Sequence, residues 1–93
     1  MFTHRVRIEL KPDSLTEFSR IIKSEIMPLV RRQKGFRNGS TFIAPNWRAT
    51  EDTRWETRED AEEYQRTGYQ KVLKALSGLS LHLPTASIFE FVE

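Results

Sequence analysis

Residues 3–34 read THRVRIELKPDSLTEFSRIIKSEIMPLVRRQK, and this stretch decides the fold. It opens with strict alternation. His4, Val6, Ile8 and Leu10 point one way; Arg5, Arg7, Glu9 and Lys11 point the other. That period-two pattern marks a strand with one buried face, from Thr3 to Lys11. Pro12-Asp13 stops it. Ser14-Leu15-Thr16-Glu17 then reads as a capping box, so a helix is expected from here to Lys34. Leu15, Phe18, Ile21, Ile22, Ile26, Leu29 and Val30 recur at three- and four-residue spacing and form one apolar stripe. Pro28 falls inside that stripe. It removes a backbone donor and is expected to kink or restart the helix. Gly35 supplies a C-terminal cap.

Working outward, Phe36 to Ala44 reads as a second strand, with Asn38-Gly39 as a turn or bulge at its start. Pro45-Asn46 turns the chain. Trp47, Ala49, Glu51, Thr53 and Trp55 then alternate with Arg48, Thr50, Asp52, Arg54 and Glu56. This third strand is polar on both faces, and its two tryptophans share one of them. Thr57-Arg58-Glu59-Asp60 is a second capping signal. Ala61, Tyr64, Val72, Ala75, Leu76 and Leu79 give a second helical stripe, in a segment from about Arg58 to Ser77. Gly68 interrupts it at a cost of about 1 kcal/mol relative to Ala, so a break or bend is expected there. Thr85 to Val92 reads as the last strand, with Phe89 and Phe91 facing opposite Ile88 and Val92. The order is β-α-β-β-α-β, the ferredoxin-like plan: an α+β chain with a four-stranded antiparallel sheet, as one domain over residues 1–93. In that plan the first strand lies between the third and the fourth. Arg5 and Arg7 are then expected to pair with Asp52 or Glu56 across the sheet.

The chain has 93 residues, so it buries only roughly 60–65% of its unfolded surface. It has no cysteine and two histidines, far apart in sequence, which argues against disulfides and a structural zinc site. An antiparallel sheet covered on one face leaves the other to bury, and a symmetric homodimer is the commonest solution. Fifteen Lys and Arg oppose thirteen Asp and Glu, for a net charge of +2 with the signs interspersed. The densest basic stretch, Arg31, Arg32, Lys34 and Arg37, sits at a helix C-terminus, where cations favour the dipole. No run of apolar residues is long enough to span a membrane. The opening MFTHRVRIEL is charged where a secretory signal needs an apolar core, so a cytoplasmic location is expected.

Several stretches together resemble the antibiotic biosynthesis monooxygenase-like family of dimeric α+β barrels. They are His4-Arg5-Val6-Arg7-Ile8-Glu9-Leu10, Met27-Pro28-Leu29, Lys34-Gly35-Phe36, and Trp55-Glu56-Thr57 leading into Glu59-Asp60-Ala61-Glu62-Glu63-Tyr64. The opening His4-Arg5-Val6 also resembles the related stress-responsive dimeric barrel proteins. The resemblance implies a homodimer whose sheets pack into a barrel, with a pocket between each sheet and its helices. It implies cofactor-independent oxidation of phenolic or anthrone-type polyketides, haem degradation, or polyketide cyclisation. The haem-degrading branch uses an Asn on the first strand and a Trp and a His on the second helix. Val6, Tyr64 and roughly Leu73 stand there in this chain, and a Leu cannot ligate iron. Many quinol-oxidising relatives carry His on the second helix, where this chain has Tyr64 and Tyr69. A Tyr is a weak base at neutral pH, which weakens the cyclase reading too, but it still donates a hydrogen bond.

The residues leave two functions open. In the first, the chain is a cofactor-independent monooxygenase, or a related enzyme, of a small aromatic or polyketide-like metabolite. His4 is the candidate base. Tyr64 is the candidate donor to a substrate oxygen. Trp55 and Trp47 are candidate stacking walls. Asn38 lines the mouth of the pocket, or else only makes an Asn-Gly turn. No metal and no cofactor are called for. In the second, the same scaffold is a non-catalytic small-molecule-binding or interaction protein. Its aromatic rings are then core, and His4 is a strand-end residue at the rim. Nucleic-acid binding shares the segment order, but its aromatics lie in a basic, Gly-rich third strand. Here that strand carries Glu51 and Asp52 and no glycine.

Overall fold

The structure is a computed structural model and describes residues 1–90 and Val92. β1 (Phe2–Glu9) carries the alternation that organises the sheet. It lies between β3 (Arg48–Trp55) and β4 (Thr85–Glu90), with β2 (Phe36–Ile43) at the outer edge beyond β3, and all neighbours are antiparallel. This is the ferredoxin-like order. The register sets Val6 opposite Glu51 and His4 between Thr53 and Ile88. Side chains alternate along a strand, so His4, Val6, Ile8, Ala49, Glu51, Thr53 and Trp55 share the face under the helices. Arg5, Arg7, Asp52 and Arg54 share the open face. Arg5 pairs there with Asp52 through two contacts of 2.8 Å, and its guanidinium lies over the Phe89 ring. Phe91 lies outside the described residues.

The first helical segment is one continuous rod with a widened turn. α1 (Leu15–Ile21) runs into a π-helical turn at Ile22–Ile26 and then α2 (Met27–Arg31). The Met27 N–H reaches the Ile22 carbonyl, five residues back. An α-helix cannot use a proline N–H and clashes with its ring. The wide turn takes up that mismatch, and Pro28 sits in the first turn of α2, where a missing donor costs least. Phe18, Ile22, Ile26 and Val30 therefore stay on one buried stripe.

The Ser14 capping box does not form. The Ser14 hydroxyl donates to the Lys11 carbonyl at 2.6 Å, and Glu17 pairs with Arg20 instead. Ser14 has φ −98° and ψ 3°, not the extended conformation from which a cap oxygen meets the first helical amides. The Thr57 cap does form: extended at φ −131° and ψ 163°, its hydroxyl accepts from the Asp60 N–H at 3.1 Å.

The second helical segment breaks at Thr67 into α3 (Arg58–Arg66) and α4 (Gly68–Leu76). A bulge at Arg37 shifts the β2 register, so that Phe36 faces Trp55 and Asn38 faces Arg54. The chain turns between Ala44 and Arg48, which pair through the Ala44 N–H. Trp47 lies in that turn with φ +66°, before β3 begins, so it does not share a strand face with Trp55. The segment after α4 is tied to the end of β1: Leu10 bridges Ser80, and the Lys11 N–H reaches the Leu79 carbonyl at 2.8 Å. No helix among the described residues is long and apolar enough to cross a membrane.

Gly68 breaks the helix and also makes room. A Cβ there would stand 3.0 Å from Tyr64 Cδ1. Gly68→Ala is therefore expected to destabilise the fold by about 1–2 kcal/mol despite the better helix propensity of Ala, because the overpacking cost exceeds the propensity gain. Urea denaturation measures this, and an increase in stability would show that the ring yields.

Candidate functional site

The covered face of the sheet holds a cluster of rings and polar groups. Trp55 is fully buried and stacks on Tyr64, with centroids 4.7 Å apart and planes 25° from parallel. Phe36 packs edge-on to Trp55 at 5.6 Å. His4, 1% exposed, is set edge-on to both Tyr64 (5.0 Å) and Tyr69 (4.8 Å). β1 and β3 deliver His4 and Trp55 from the sheet. α3 delivers Tyr64, and α4 delivers Tyr69 from just beyond the Gly68 break.

Hydrogen bonds fix the orientation of this cluster. His4 Nε2 donates to Gln65 Oε1. Trp55 Nε1 donates to Thr53 Oγ1 at 2.9 Å, and the Thr53 hydroxyl lies 3.4 Å from the His4 carbonyl, to which it donates. Burial pushes the His4 imidazole below its ordinary value, and the Gln65 bond offsets part of that push, so the ring is neutral at physiological pH. Burial drives both Tyr64 and Tyr69 upward, and the neighbouring Glu51 adds to the effect at Tyr64. Both phenols therefore keep their protons.

One charged group belongs to this cluster and was not among the sequence candidates. Glu51 projects from β3 to the covered face and is 4% exposed. The Thr41 hydroxyl donates to its Oε2, and its Oε1 is buried with no partner among the described residues. Burial raises its carboxyl from an ordinary 4.5 to about 7. Thr41 holds it down and the adjacent Asp52 pushes it up. The sequence did carry a signal for it, an acid in the same alternating set as Ala49 and Trp55. Gln65 carried none, since its helix is polar on both sides of Tyr64.

Of the sequence candidates, His4, Tyr64 and Trp55 come together. Trp47 and Asn38 do not join them. Trp47 is 38% exposed in the hairpin turn. Asn38 is exposed on the open face of β2, where its Oδ1 accepts from Arg54 at 2.8 Å, because the bulge at Arg37 sets the strand phase. The rings pack on one another between sheet and helices, and two cavities lie elsewhere. One of about 410 Å³ is bordered by Arg7, Thr50, His82, Leu83 and Thr85. Another of about 240 Å³ lies beside Leu73, Ser77 and Pro84. His82 is exposed and reaches Glu9 at 3.3 Å. No three His, Asp or Glu side chains among the described residues gather as metal ligands.

Solved structures share this fold throughout. A Nitrosomonas europaea protein with the provisional name antibiotic biosynthesis monooxygenase superposes with a TM-score of 0.79 at 16% identity, covering 100% of both chains. A Bordetella bronchiseptica protein of the same provisional name gives 0.81 at 18% identity, covering 99% of this chain and 97% of its own. A Streptomyces coelicolor monooxygenase, solved with the ligand nanaomycin D, gives 0.81 at 14% identity, covering 99% and 88%. The chain thus has the ferredoxin-like fold of the antibiotic biosynthesis monooxygenase-like structures. No protein-family model matches the sequence, and no curated protein matches it.

The buried ionisable pair gives opposite pH signatures. His4 is depressed in the folded state, so its contribution is present above its ordinary 6.5 and is lost as pH falls below it. Glu51 is raised, so its contribution is full below 4.5 and is lost as pH rises to about 7, at a cost on the order of 3 kcal/mol. Glu51→Gln is expected to raise the melting temperature by several degrees at roughly pH 8 and to change it little at about pH 5. Thermal melts across that range check it. Equal shifts at both ends would mean that Glu51 ionises normally.

Proposed function

We propose that the protein is a cytoplasmic, homodimeric, cofactor-independent monooxygenase of a small aromatic or polyketide-like molecule. The chemistry takes place between the sheet and the helices. One observation carries the reading: an enclosed, ring-lined interior holds a neutral imidazole, two protonated phenols and a carboxyl near neutrality in one cluster. Groups with shifted ionisation in one enclosed place are the usual mark of a chemical site. The reaction class suits them. The protein takes a proton from an electron-rich ring, and the resulting anion reduces O₂ itself. A ring CH₂ and O₂ become a ring carbonyl and water, so atoms and electrons balance without a further reactant. His4 and Tyr64 are the polar groups that meet the ligand, and Trp55 offers it a face. The nanaomycin D complex of the Streptomyces protein supports a small-molecule site in this fold.

Homodimerisation is proposed through the open sheet face. Phe42 and Phe89 project there beside the Arg5–Asp52 pair, and Phe42 is 56% exposed. Arg7 lies on the same face between Thr50 and Thr85. Arg7→Glu is expected to raise the dimer dissociation constant at least tenfold in sedimentation equilibrium. An unchanged constant takes Arg7 out of the interface.

A second reading, a non-catalytic binding or interaction protein, is favoured by the stacking of Tyr64 on Trp55, which leaves a ligand no space unless a ring moves. Oxygen uptake with anthrones and phenols separates the two. The wild type is expected to consume O₂ and His4→Ala to slow turnover at least tenfold. An inert wild type favours the second reading, and an unimpaired His4→Ala variant removes His4 from the site.

A further inference from the structure

We infer that Glu51, reached over the edge of β2, is the proton acceptor of this interior site and binds the acidic hydroxyl or C–H of an enolisable aromatic ligand. The inference rests on the small-molecule reading above and assigns its proton-transfer step to the carboxyl of that cluster rather than to His4.

The geometry is that of a half-used carboxylate. Oε2 is occupied by the Thr41 hydroxyl, while Oε1 is enclosed with no partner among the described residues. A buried acceptor left empty costs stability, and a purely structural acid would be paired or replaced. Asp52, the next residue, is buried to the same degree on the opposite face and takes two hydrogen bonds from Arg5. No such cation pairs with Glu51 among the described residues. The groups around it are Thr41 from β2, Val6 from β1, and Tyr64 from α3, with Asp52 behind it in its own strand.

Access is built into the edge. Met27 covers β2 at Gly39, but Thr41 and Ile43, on the same face further along, are exposed. The route proposed to Oε1 runs over this exposed part of β2, and because Oε1 is enclosed a ligand reaches it only when a covering side chain moves. Above neutrality the carboxylate is ionised and accepts the proton: the ligand O–H or C–H bond breaks, the proton goes to Oε1, and the electron pair stays on the ligand. Tyr64, held as a phenol, donates to the oxygen that gains the charge. His4, whose Nε2 is engaged by Gln65, packs against both tyrosine rings and in this scheme meets the ligand without taking its proton.

The test uses dithranol, a dihydroxyanthrone whose enolate absorbs visibly, titrated under argon with wild type, Glu51→Gln and Thr41→Val. The wild type is expected to develop the bound enolate as pH rises through neutrality. Glu51→Gln, which keeps shape and hydrogen bonding, is expected to reduce it at least tenfold. Thr41→Val is expected to move the midpoint upward, because the carboxylate loses the donor that stabilises it. Enolate formed equally by Glu51→Gln, a midpoint unmoved in Thr41→Val, or no enolate with the wild type each overturns the assignment. Admitting air then decides the oxidation reading separately: bound enolate without O₂ uptake defeats that reading and leaves Glu51 as the acceptor.

Discussion

The stack of Tyr64 on Trp55 is the contact on which the rest of the interior depends. A chain this short has one covered sheet face and little apolar material to fill it. Large rings supply the volume. Such a pair adds only about 0.5–1.5 kcal/mol beyond its burial, but it also fixes geometry. With Trp55 held by Thr53 and Tyr64 laid on it, α3 can sit in one place on the sheet. That placement brings Gln65 to His4. It also puts Tyr64 only 3.0 Å from where a Cβ at residue 68 would stand, which suits glycine there, and beyond the break α4 brings Tyr69 against His4. Glycine at this position suits both the ring packing and the interruption of the helix.

The same packing sets the electrostatics. A ring-filled layer excludes water, and excluding water penalises whatever charge lies in it. His4 answers by staying neutral, and the tyrosines by keeping their protons. Glu51 is the group for which the penalty falls inside the physiological range. The largest cause of each shift is the absence of solvent, with Glu51 adding to the shift at Tyr64 and Asp52 adding to the shift at Glu51.

The sequence made the fold legible wherever a pattern was local. The β1 alternation, the helical stripes, the Thr57 cap and the interruption at Gly68 each depend on a few adjacent residues. The strand order follows from the order of the elements. What it misjudged was phase. Trp47 fits the β3 alternation by count alone, yet the turn needs a residue at positive φ there, and the strand starts one residue later. Asn38 looked inward or turn-like, and the bulge at Arg37 sends it outward. Ser14 had the right neighbours for a cap but the wrong ψ. The site was legible in part, since a histidine on an apolar strand face is visible in a string of letters. Which helix residue meets it is not, because Gln65 reaches His4 only through the angle at which α3 crosses the sheet. Glu51 was visible and passed over, since a strand polar on both faces hides which acid is buried.

Glu51 and Asp52 together carry the functional argument further than the fold does, for a fold of this kind hosts many activities. They are consecutive acids in one central strand, facing opposite sides and almost equally hidden. One is paired through two hydrogen bonds with Arg5, the residue directly across from it in β1, and its burial needs no other explanation. The other has a single hydroxyl and an empty oxygen. If burying an acid at that point served only stability, Thr or Val would serve it better and a cation opposite would serve it as well. Val6, the residue directly across from it, supplies neither charge nor donor. The Oε1 of Glu51 has no partner among the described residues, and the ligand proposed to complete it would come from the side of the exposed Thr41.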